Sequence, residues 1–146
     1  MKRMTICAAM AAAALGLAAG EHDISQTSGD YSRVTAGEAV YAGNIAAVAT
    51  NGMAYAVNTA AIGGTLTVCG VFQHSAAAGE QTLVKRGGFM LENAGDSGKI
   101  TKAQIGQTAY SVAGNAWTVT KESGGKAVGK VADVADDGRV AVVVGK

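Results

Sequence analysis

From Val34 onward the chain is a succession of short β-prone runs, each interrupted after a few residues by Gly, Asn or Asp. This punctuation most restricts the fold. It leaves no stretch in which a helical period persists, and it spaces the runs 8–12 residues apart, as in sandwiches and barrels. The alternation predicts strands over 38–41, 45–50, 53–58, 66–74, 81–92, 108–112, 117–121, 127–134 and 139–144. Asn51-Gly52, between two alternating runs, is the strongest hairpin signal. Ala113-Gly114-Asn115 and Ala135-Asp136-Asp137-Gly138 supply two further turns, with Gly138 suited to a positive φ. Gly129 inside 127–134 marks a bulge, and Val142–Val144 suits a strand covered on both faces. Residues 97–104 read as at most one short helical turn. Alternation predicts one face for Trp117 and Val119, with Trp117 in the core, and one face for Val128, Lys130, Ala132 and Val134. No repeat of fixed period is visible.

Composition sharpens this expectation. The chain carries 30 Ala and 21 Gly among 146 residues, and no Pro. Leu, Ile, Val and Phe number 5, 6, 16 and 2. Apolar burial stabilises by about 25 cal/mol per Å², and Ala and Gly offer little such surface. A β domain of this kind is expected to be marginal as a monomer and to gain stability from partners. Collagen is excluded, since Gly has no three-residue period. A net charge of +1 with 49% hydrophobic residues opposes a charged disordered chain and a basic nucleic-acid binder. Two cysteines, Cys7 and Cys69, do not make a disulfide scaffold.

Residues 1–33 differ from the rest. Lys2 and Arg3 precede an apolar stretch, 4–19, and Ala18 and Gly20 stand where a signal peptidase would cut. Residues 1–20 therefore read as a signal peptide or, if retained, as an Ala-rich helical arm. Both readings are open; the stretch is short for a membrane span. The polar segment 21–33 reads as an extended linker. The expected organisation is a leader or arm, 1–33, and a β-rich domain, 34–146. The fold class is all-β: a small sandwich or barrel-like domain of short antiparallel strands with a helical or extended N-terminal arm.

Reactive groups are few. His22 and His74 are the only imidazoles. Cys69 sits in an apolar run and reads as a small buried hydrophobe. Ser75 adjoins His74, but neighbours on a strand point to opposite faces. Gly63-Gly64, Gly87-Gly88 and Gly124-Gly125-Lys126 lack the following helix that a phosphate loop needs. Asp133, Asp136 and Asp137 read as a solvated hairpin tip rather than a calcium loop. No nucleophile, base and orienting group can be assembled, and no metal-ligand spacing occurs. The expectation is a non-enzyme with no cofactor and no metal. Tyr31, Arg33, Lys85, Arg86 and Trp117 are the expected interface residues, because aromatic and Arg side chains are enriched at contacts.

Several motifs resemble the small capsid cement, or decoration, proteins of tailed bacteriophages. They are Ala36-Gly37-Glu38-Ala39-Val40, Gly70-Val71-Phe72, Ala78-Gly79-Glu80, Ile105-Gly106-Gln107-Thr108-Ala109-Tyr110 with Trp117-Thr118-Val119-Thr120, and the closing pair Val128-Gly129-Lys130-Val131-Ala132 and Gly138-Arg139-Val140-Ala141-Val142. The resemblance covers about residues 34–146; members of the family begin almost at the first strand, without an Ala-rich leader. It implies a non-enzymatic, often trimeric protein on the capsid surface of a virion. The implied partner is the major capsid protein, with no nucleic acid and no membrane. Residues 1–33 would then be an arm across the capsid or a neighbouring copy. The competing expectation, carried by the leader, is a secreted or periplasmic surface or adhesion module. A hydrolase is a third, which the residue inventory opposes.

Overall fold

The computed structural model describes residues 30–62 and 64–145. Residues 32–146 form one compact body. The expectations for the signal-like or helical leader, and for the linker up to residue 29, lie outside the described residues. Ten strands are described: β1 (Tyr31–Thr35), β2 (Ile45–Ala49), β3 (Ala54–Ala56), β4 (Leu66–Phe72), β5 (Gln81–Lys85), β6 (Gly87–Asn93), β7 (Thr108–Val112), β8 (Asn115–Thr120), β9 (Ala127–Val134) and β10 (Val140–Val144). They form an open five-stranded sheet, in the order β1–β5–β4–β2–β3, and a closed barrel, in the order β9–β10–β6–β8–β7. The all-β expectation holds. Pairing in the barrel is antiparallel except between β6 and β8, which run parallel.

Local chemistry explains most of the strands. Asn51 and Gly52 (φ 82°) turn the β2–β3 hairpin, and the Asn51 side chain accepts from the Met53 amide at 2.9 Å. β2 reads Ile-Ala-Ala-Val-Ala because both of its faces are covered. Ala46 joins Ala36, Val40, Ala54, Phe72, Ala76 and Val84 in the small core of the open sheet. Ile45 and Ala47 face the other way, into a larger cluster with the barrel residues Leu91, Val119, Val131 and Val142. In β10, Val140, Val142 and Val144 are fully buried and alternate with half-buried residues.

The structure corrects several expectations. Residues 38–41 form no strand; Val40 makes one isolated bridge with Ala76. Residues 31–33 belong to β1 rather than to a linker. The single run 81–92 is two strands in two sheets, with Arg86 between them. A run of alternating residues does not reveal that the chain has changed partners. The helical turn is a short 3₁₀ segment, Lys102–Gln104, capped by Thr101. Val128 and Lys130 do not share a face. The bulge at Gly129 shifts the register, so Val128, Val131 and Val134 are buried while Lys130 and Ala132 are exposed. Trp117 is 48% exposed, not core; Thr118, Val119 and Thr120 supply the buried positions of β8.

Candidate functional site

The expected interface residues do not converge on one site. Tyr31 and Arg33 lie on β1 and Lys85 on the adjacent β5, so three share one side of the open sheet. Arg33 lines a groove of about 230 Å³ with His74, Gln81, Thr82 and Leu83. Arg86 follows Lys85 at the crossing between sheets. Trp117 stands apart, on β8 of the barrel.

A larger cleft, of about 710 Å³, lies between the segment after β3 and one end of the barrel. Asn58 anchors it. Its Nδ2 donates to the carbonyl oxygens of Val112 and, at 2.5 Å, Asn115; its Oδ1 accepts from Ser111 Oγ at 3.1 Å. Ser111 Oγ accepts in turn from the Lys126 amide at 2.9 Å. Glu38 holds the same segment from the other side, with Oε1 accepting from Thr59 Oγ1 at 2.5 Å and Oε2 from the Ala56 amide at 3.2 Å. Sequence inspection gives Glu38 no role beyond its motif and passes over Asn58, because a lone Asn carries no sign of a partner more than fifty positions away. Removing one side of such a half-buried network takes the amide donor from two carbonyls at once. Asn58→Ala is therefore expected to lower stability by about 2 kcal/mol, read from the urea midpoint, with amide exchange rising first in 57–62.

Several polar groups near the cleft and the turns are held in hydrogen bonds. Asp96 and Glu122, which line the cleft, accept from the Gly98 amide and from Ser97 Oγ respectively. Ser75 Oγ accepts from the Ala42 amide, and the His74 carbonyl accepts from Thr82 Oγ1. Asp137 accepts from the backbone and side chain of Arg139, which together hold its carboxyl below the usual range. Among the described residues no group of three His, Cys, Asp or Glu side chains could hold a metal. Also among these, no helix is long and apolar enough to cross a membrane.

Cys69 is half-buried and its Sγ donates to the Ala46 carbonyl at 3.5 Å. Burial pushes its thiol up to about 11, against a partial opposing pull from Arg86. The group is neutral when protonated, so its contribution to stability is complete below the unfolded value of 9.0 and is lost as pH rises through about 11. The expected result is a steeper fall in thermal stability between those pH values for the natural chain than for Cys69→Ala. Parallel curves would show that the thiol is not the cause.

No protein-family model, no curated protein and no solved structure matches the chain.

Proposed function

We propose that the chain is a non-enzymatic virion structural protein that binds the outside of a phage capsid lattice and stabilises it. The observation that carries this reading is the Ala-rich core of the open sheet, in which Phe72 is the one large side chain among Ala36, Val40, Ala46, Ala54, Ala76 and Val84. A sheet with so slight a core gains stability by mass action when it docks on a larger body. Tyr41 and Trp117, 62% and 48% exposed, are aromatic side chains of the kind enriched at contacts. The motif resemblance over residues 34–146 supplies the partner class: a major capsid protein, with the decorating chain as a homo-oligomer, expected to be a trimer.

The test is fractionation of a phage-producing culture that expresses the tagged full-length chain. Co-sedimentation with capsids, in fixed ratio to the coat protein, supports the proposal. Recovery in the periplasm or medium, with a mature N-terminus near Glu21, overturns it in favour of a secreted surface module. Trp117→Ala is expected to change folding stability by less than about 0.5 kcal/mol while lowering capsid occupancy. Undiminished occupancy would remove Trp117 from the interface.

A further inference from the structure

The two sheets match strand for strand. With β1–β5 and β6–β10 each counted first to fifth, both run first–fifth–fourth–second–third. In both, the third strand returns to the first in parallel. The return is the single bridge Ala36–Ala54 in the open sheet, and the pairs Glu92–Thr118 and Asn93–Val119 in the barrel.

The match extends to single residues. Between second and fourth strands, Ile45, Ala46 and Ala47 oppose Val71, Gly70 and Val68, skipping Cys69. In the barrel, Thr108, Ala109 and Tyr110 oppose Lys130, Gly129 and Ala127, skipping Val128. Each bulge therefore has its glycine at the same place. A Cβ on Gly70 would meet the Lys85 carbonyl oxygen at 2.4 Å, and one on Gly129 the Val143 carbonyl oxygen at 1.9 Å. Lys85 and Val143 are themselves equivalent: Val71 pairs with Lys85 and Phe72 with Val84, as Lys130 pairs with Val143 and Val131 with Val142. The loop before the second strand repeats as well. Gly43 donates to the Phe72 carbonyl and the Phe72 amide to Asn44; Gly106 donates to the Val131 carbonyl and the Val131 amide to Gln107.

Strand order alone recurs in unrelated chains. Here the match continues to a bulge at the same place, with its glycine against the equivalent carbonyl, and separately to the loop bonds before the second strand. We infer that residues 31–86 and 87–145 are two copies of one five-stranded unit, joined at Arg86, each holding a complete set of strand pairs. The copies have diverged on one face. Ile45, Ala47 and Val71 are buried in the larger cluster, whereas their counterparts Thr108, Tyr110 and Lys130 are half-buried or exposed, with Lys130 Nζ donating to Thr108 Oγ1 at 3.2 Å. One copy's outer face is covered by the other copy, and the second copy's face is left polar, as at the end of a repeat array.

The test places a protease site between Arg86 and Gly87 of the full-length chain and follows amide exchange before and after cleavage. Protection is expected to persist in both sheets, since the cut severs no strand pair. Loss of protection in either sheet would overturn the inference. Gly70→Ala and Gly129→Ala give an independent reading without any cut. Each is expected to speed exchange at least tenfold more in its own copy than in the other. Equal acceleration in both copies would show one indivisible body and overturn the inference.

Discussion

Gly129→Ala is expected to destabilise the protein by about 3 kcal/mol or more, the largest effect among single-methyl additions. The new Cβ would lie 1.9 Å from the Val143 carbonyl oxygen, 2.8 Å from its carbon and 3.2 Å from Val144 Cα. All three are backbone atoms, so no side-chain rotation relieves the clash. The strand that carries them has no room to retreat. β10 is held on its far side by β6, with Val143 opposite Gly88 and Val144 opposite Gly87, and Val142 and Val144 point into the closed barrel. Relief therefore requires opening the β9–β10 ladder. The measurement is the shift in urea midpoint against Gly124→Ala, where an added Cβ meets nothing within 4 Å. The control is expected to stay within about 0.5 kcal/mol of the natural chain. Equal stability of the two variants would show that the barrel yields at this seam.

Phe72→Ala is expected to cost about 3–5 kcal/mol. The ring is 1% exposed and occupies the core of the open sheet, where most of its neighbours are alanines and valines. Such short side chains cannot swing inward to fill the space left by a phenyl group, so the cavity term adds to the lost burial. Phe72→Leu keeps most of the volume and is expected to lose about 1 kcal/mol. The backbone of residue 72 still receives Gly43 and donates to Asn44 in either variant, so the difference isolates the ring. Guanidinium unfolding, with transition slopes compared, measures it. A loss below 1 kcal/mol for the alanine variant would mean that the open sheet has little part in the cooperative transition.

Much of this was legible locally. Residues 108–112 and 127–134 begin and end as strands where alternation placed them, because side-chain polarity reports which face is covered. Gly52, Gly129 and Gly138 were legible as turn or bulge residues for the same reason: backbone shape limits side-chain choice. The cleft was not. Asn58, Ser111 and Lys126 converge from three segments, and an amide accepted by a distant carbonyl leaves no trace in its neighbours. Trp117 misled because the strand's burial is displaced onto Thr118 and Thr120; Thr120 Oγ1 finds a partner in the Gly98 carbonyl at 2.9 Å.

The chain by itself determined the β class, the places where it turns, and a shortage of large apolar side chains. These follow from short-range preferences: alternation, turn glycines and residue volume act within a few positions. Tertiary structure alone decided which strand lies beside which, the change of sheet at Arg86, and the closure of one sheet into a barrel. Backbone hydrogen bonds join strands without regard to side-chain identity, so partner choice is written only in the packed whole. The paired units stayed hidden for a related reason. Equivalent residues stand 63 positions apart at Ile45 and Thr108, 59 at Gly70 and Gly129, and 58 at Val84 and Val142. Loops of unequal length remove any fixed period, while the bulge and its opposing carbonyl keep the geometry.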